Sequence, residues 1–291
     1  CKGSVDKPYS MESDVELLLI QIDNYCRANG IDRGEVLCGY EAGFSGYRLW
    51  KVLTESGMEC KVIHAADIPT TDRDRRRKSD SVDSQKISEY LSSGYARGIY
   101  VPDEEQLKLR SLVRLRYTIA KQKRSWMCRI RSHLMFHGIK IKAELDRKLW
   151  TQKGLRFLDQ KAEDDLTLQE LLVIYRFYCG RELEAGRKIR QHILQSRYKE
   201  TYDYLMSIPG IGWTTASLLI SELNDMDRFG SFDRLASFMG LVPDVRSSAE
   251  RVRVSGITKR ASRRLRSAMV ESAWINMRCD EVMNRCYRQA L

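Results

Sequence analysis

Lys78-Ser79-Asp80-Ser81-Val82-Asp83 places two carboxylates three residues apart at the head of an amphipathic run in which Val82, Ile87 and Leu91 share one side. Positions i and i+3 are neighbours on a helix, so these acids repel each other unless a cation lies between them. A hard divalent cation such as Mg²⁺ takes oxygen ligands of this kind. Just upstream, Asp72 to Lys78 concentrates phosphate-seeking charge in Arg75, Arg76, Arg77 and Lys78. The implied chemistry is a metal site beside a polyanion. The plainer alternative is an acidic first turn that complements the helix dipole.

A third acid, Glu41, follows the apolar stretch Glu35-Val-Leu-Cys-Gly-Tyr40 and precedes the turn Ala42-Gly-Phe-Ser-Gly46. In parallel α/β sheets ligands gather at the carboxyl ends of strands, which is where Glu41 falls. A solvated loop acid is the ordinary alternative. Two serines, Ser247 and Ser248, lie beside a segment from Arg251 to Arg266 that holds seven basic residues and no acid. A serine hydroxyl becomes a nucleophile only when its alkoxide is stabilised, and arginines together with a metal from another domain can do that. Serines in an arginine-rich loop are otherwise simply polar.

The elements that must position these groups follow from periodicity. Met11 to Ala28 is helical, with Val15, Leu18, Leu19, Ile22 and Cys26 on one face, and Asn29-Gly30 ends it. Strands are expected at 35–40 and 60–64, with helices over 47–56 and from 80 or 83 onward. This order predicts parallel strands joined by right-handed crossovers. Ile99 to Pro102 reads as extended. Glu104 to Phe136 and Leu168 to Arg197 read as two long helices able to pair antiparallel, the second weakened by Gly180 and Gly186. Eight basic residues from Arg110 to Arg131 on the first of them suggest a phosphate-tracking surface.

Ser207-Ile-Pro-Gly-Ile-Gly-Trp213 between two helical stretches resembles a helix-hairpin-helix module. Gly210 and Gly212 would let the backbone approach a ligand, and the free amides of the next helix suit a phosphate. A tight turn between two packed helices is the alternative. Phe232 to Met239 is a short helix closed by Gly240, Arg251-Val-Arg-Val alternates as a hairpin strand does, and Arg264 to Leu291 reads as one final helix with Cys279 and Cys286 as packing residues.

The 291 residues carry a formal net charge of +11, which favours a polyanionic partner, most simply nucleic acid. Eight cysteines form no C-x-x-C pair and do not cluster with the four histidines. That argues against zinc and a disulfide framework and fits a reduced, cytoplasmic setting. No apolar run approaches the ~18 residues of a membrane span.

Three patches together are specific in order and spacing: Gly39-Tyr-Glu-Ala-Gly-Phe-Ser-Gly-Tyr47, Lys78-Ser-Asp-Ser-Val-Asp83, and Ile208-Pro-Gly-Ile-Gly212 with Gly240-Leu-Val-Pro243 and Gly256-Ile-Thr-Lys259. From about residue 12 to its end the chain resembles the DEDD-type transposases of the IS110 insertion-sequence family. The resemblance implies an α/β RNase H-like (RuvC-like) domain over 1–102, a long helical coiled-coil linker over 103–200, and a mainly α transposase domain with helix-hairpin-helix and serine loop over 201–291. It further implies four metal-binding acids, of which Glu41, Asp80 and Asp83 match the second to fourth. No opening strand bearing the first acid precedes the first helix, so the RuvC-like domain is expected to be incomplete in an N-terminally truncated chain. The family's serine nucleophile falls at Ser247-Ser248-Ala249, where alanine replaces the usual glycine; Ser248 is preferred over Ser247. The resemblance implies a Mg²⁺-assisted DNA recombinase of bacterial or archaeal cytoplasm, nucleoid-associated, acting as a dimer or tetramer on element ends and target DNA with a structured guide (bridge) RNA. Arg251, Arg253, Lys259, Arg260, Arg263 and Arg264 would hold nucleic acid. Two alternatives stand beside it: a catalytically deficient nucleic-acid-binding fragment, and a metal-dependent Holliday-junction-type nuclease that uses water.

Overall fold

The computed structural model describes residues 10–69, 80–248, 251–257 and 261–290, with 80, 244–248, 251–255 and 290 described by backbone. The chain is mostly helical and divides into two compact units, Cys1–Pro102 and Asp103–Leu291.

In the first unit, helix α1 (Val15–Asn29) starts at Asp14, whose carboxylate accepts from Glu16 N at 2.7 Å, and stops at Gly30 in the left-handed region (φ 66°). Strand β1 (Leu37–Glu41) runs parallel to β2 (Glu59–Ile63), in register from Leu37 opposite Glu59 to Glu41 opposite Ile63. Helix α2 (Arg48–Glu55) is the crossover. Leu53, Met58 and Cys60 form the core, packed by Leu18, Leu19, Ile22 and Trp50. The segment after the sheet is tied back to it, since Ile99 N donates to Val62 O at 2.7 Å. Helix α3 (Asp80–Ser92) packs on β1 at Gly39, where a Cβ would lie 2.7 Å from Leu91 Cδ1.

The second unit is built on α4 (Glu104–Phe136) and α7 (Leu166–Leu194). They are antiparallel: Arg197, just past the end of α7, pairs with Asp103 before α4, and Arg116 meets Glu182 midway. Short helices α5 (Ala143–Asp146) and α6 (Gln152–Lys161) close the far end over Ile130, Leu134, Leu149, Leu158, Leu168 and Leu172. At the near end Leu109, Val113, Ile189 and Ile193 share a core with Leu218, Leu265 and Ala268. The remaining elements are α8 (Lys199–Ser207), α9 (Trp213–Leu223), α10 (Phe232–Met239), the antiparallel pair β3 (Pro243–Ser248) and β4 (Arg251–Ile257), α11 (Arg263–Cys279) and α12 (Glu281–Ala290). No helix among the described residues is long and apolar enough to cross a membrane.

Four expectations are corrected. Ser247 and Ser248 are not in a loop; they end β3, opposite Val252 and Arg251. The final helix is two helices, because Asp280 is extended (φ −122°) and its carboxylate accepts from Val282 N and Met283 N, capping a new helix. Cys279 and Cys286 are exposed rather than packed, and α11 buries Leu265, Ala268 and Ser272 instead. The basic face of α4 is largely satisfied inside the protein. Arg110 and Arg114 converge on Glu222, Arg116 and Lys123 on Glu182, and Arg131 on Asp146.

Candidate functional site

Glu41 is the last residue of β1 and is exposed. The strand reaches it because Leu37 to Tyr40 pair fully with β2, and Ala42 N still donates to Ile63 O at 2.8 Å beyond it. Asp80 opens α3, and Asp83 follows one turn on, its Oδ1 3.5 Å from Lys86 Nζ. Glu41 and Asp83 thus belong to two elements that touch through Gly39 and Leu91. The chemistry of this donor set, carboxylate oxygens at a strand end and a helix start, suits a hard divalent ion. Burial pushes the nearby Cys60 thiol up to about 11 and raises Cys38 as well, so both behave as packing groups.

The second group of candidates lies in the other unit. Register places Ser248 on one face of the β3–β4 ladder with Arg246, Arg251 and Arg253, while Ser247 shares the opposite face with Val245, Val252 and Val254. Arg263 and Arg264 are exposed in the first turn of α11, capped by Ser262, with no acid in that turn. Cations at a helix N-terminus oppose the macrodipole, which is a local cost unless an anion binds there. Arg75, Arg76, Arg77, Lys78, Lys259 and Arg260 lie outside the described residues.

The hairpin between α8 and α9 has the expected form, but its two glycines differ. Gly210 has φ +89°, and a Cβ there would lie 2.4 Å from Ser272 O and 3.0 Å from Asn276 N. The close approach it permits is to α11. Gly212 is exposed, has open space around it and forms the N-cap of α9, whose first amides have no side-chain cap. Trp213, next in sequence, lies between the guanidinium groups of Arg116 and Arg190, 4.8 and 4.5 Å from its ring centroid. Gly186 makes room for the indole, since a Cβ there would meet Trp213 Cη2 at 2.8 Å. Sequence reasoning missed this clamp and took Gly186 for a helix weakness. An isolated helical glycine with a packing reason was the available signal.

The family comparisons fit both units. A DEDD transposase model of IS110 elements, described as Transposase, matches residues 21–138. The Transposase IS116/IS110/IS902 family model matches residues 202–288. The chain is 30% identical over 241 residues to the putative transposase y4qE of Sinorhizobium fredii, covering 81% of this chain and 57% of that protein. It is 27% identical to the transposase for insertion sequence element IS1328 of Yersinia enterocolitica, covering 70% and 60%. With the transposase for IS1533 of Leptospira borgpetersenii identity is again 27%, covering 76% and 65%. The chain therefore spans roughly three-fifths of the length of the curated relatives it matches. The DEDD model runs over the first unit and through α4, the second model lies on the later part of the second unit, and transposases stand among the relatives, so over most of its length the chain matches the IS110 transposase family.

Proposed function

We propose that the protein is a DNA transposase whose chemistry is divided between its two units, with Ser248 as nucleophile. The observation that carries the choice of serine is the register of β3 with β4, which groups Ser248 with three arginines and Ser247 with three valines. Ser248 Oγ attacks a DNA phosphorus. A phosphoserine ester forms, the scissile P–O bond breaks, and the departing oxygen takes up a proton as a free DNA hydroxyl. Arg246, Arg251 and Arg253 offset charge on the phosphoryl oxygens. Glu41, Asp80 and Asp83, in an RNase H-like setting within 1–102, would hold Mg²⁺, which would polarise the phosphate and favour the serine alkoxide. Arg263, Arg264 and the free amides after Gly212 hold backbone phosphates. A structured guide RNA supplies sequence recognition, leaving the protein to read shape and charge. The working form is a dimer or tetramer. The working place is the cytoplasm, where DNA is accessible.

The test is strand exchange on DNA bearing an element end, with Mg²⁺ and guide RNA. Asp83→Ala and Ser248→Ala should each abolish it, whereas Ser247→Ala should retain it. Full activity of Ser248→Ala would overturn the serine assignment. Cleavage that needs Asp83 but neither serine would instead identify a water-using junction nuclease.

A further inference from the structure

The far end of the second unit holds a cluster that the proposed chemistry does not use. His133 lies in the last turn of α4 and His137, four residues on, is its C-cap, while Asp165 is the N-cap of α7. One ligand atom from each lies within 4.8 Å of the others. His133 Nε2 and Asp165 Oδ2 are 2.6 Å apart, while Asp165 Oδ1 accepts from Leu168 N at 2.8 Å. The helix cap therefore fixes the carboxylate and turns its second oxygen toward the imidazole. The His133 and His137 rings lie 4.4 Å apart, centroid to centroid. No described residue hydrogen-bonds the exposed ring of His137. The three residues come from elements whose ends are locked by Ile130, Leu134 and Leu168, all essentially inaccessible to solvent.

We infer that His133, His137 and Asp165 form a binding site for a Zn²⁺-class ion that pins the start of α7 to the end of α4. Two imidazoles at i and i+4, the first in the last helical turn and the second on its C-cap, with a carboxylate opposite, are the donor types and spacing that such ions take. Imidazole selects zinc, cobalt or nickel over magnesium. Ligands at the usual ~2.0–2.1 Å stand ~3.3 Å apart around a tetrahedral ion. The 2.6 Å His133–Asp165 edge would open by ~0.7 Å as the ion displaces the shared proton. Rotation of the exposed His137 side chain closes the other edges, and water completes the fourth position. This site is chemically unlike the acids on α3 and does not depend on the function proposed above.

Co²⁺ titration of the chelator-treated full chain, read by visible d–d absorption and metal stoichiometry, tests it. One equivalent per chain is expected, with a raised thermal midpoint. His137→Ala, at an exposed position, and Asp165→Asn, which keeps a good N-cap, should each weaken binding at least ~10-fold, the lower end of what losing even an outer partner costs a metal site. Asp83→Ala should leave it unchanged. Failure to bind stoichiometrically, or binding unchanged in both His137→Ala and Asp165→Asn, would overturn the site. So would thiolate-to-cobalt charge-transfer bands, which would assign the ion to exposed Cys128, Cys279 or Cys286.

Discussion

Replacing Gly210 by alanine separates two roles that a hairpin glycine can play. Its φ of +89° is strained for any residue with a Cβ, at a cost of ~1–2 kcal/mol. The added methyl would stand 2.4 Å from Ser272 O, a backbone atom of α11 that cannot rotate away. Forcing an extra group into a packed contact adds ~1–3 kcal/mol. The sum, ~2–5 kcal/mol, is a large fraction of the ~5–15 kcal/mol that holds a domain folded. For a unit the size of Asp103–Leu291, each kcal/mol lowers the midpoint by ~2–4 °C. Gly210→Ala should therefore lower it by at least ~4 °C. Gly212→Ala, at an ordinary φ with open space, loses only N-cap preference, ~0.5–1 kcal/mol. Calorimetry of both variants, alongside DNA affinity by anisotropy, is the assay. If Gly210→Ala melts with the wild type yet loses DNA binding, the glycine serves a ligand and the packing argument fails.

Other perturbations have equally definite outcomes. Gly39→Val should separate α3 from β1, because the new side chain occupies the place of Leu91; hydrogen exchange in α3 should accelerate while the second unit stays protected. Glu222→Gln removes the negative charge that Arg110 and Arg114 share. With Arg114 half exposed, the loss should be ~2–3 kcal/mol in denaturant melts, below the ~3–5 of a fully buried pair. The Arg33 guanidinium hydrogen-bonded to Asp23 holds that carboxyl below its ordinary value. A depressed folded pKa gives stability that is present above the unfolded carboxylate pKa and lost as pH falls through the folded one. The first unit should thus weaken below about pH 4, and Asp23→Asn should flatten that dependence. Arg263→Ala with Arg264→Ala should reduce the slope of log affinity against log salt by ~2 in DNA-binding titrations.

Much of the architecture was legible because it rests on local signals. The α4 run shows an Asp103 cap and acids in its first turn, and Phe232–Met239 is bounded by Ser231 and Gly240. Parallel pairing of β1 with β2 followed from the helix between them. What escaped the sequence was decided by partners distant in the chain. The arginines of α4 look like a free basic face until Glu182 and Glu222 return from far downstream to meet them. Gly240 reads as a helix stop, yet a Cβ there would also strike Ala261 Cβ at 2.4 Å and Arg266 Nη2 at 2.5 Å. The register that separates Ser248 from Ser247 follows from alternation only once the strand pairing is known. His133, His137 and Asp165 are invisible as a group in sequence, because the fold brings together positions on two helices.

The central claim is that Ser248 becomes covalently joined to DNA. Protein incubated with element-end DNA, Mg²⁺ and guide RNA, then denatured and digested, should yield a nucleotide-linked peptide whose phosphoester maps to Ser248, and Ser248→Ala should yield none. DNA cleaved without any linked peptide, or a linkage that persists in Ser248→Ala, would contradict the account.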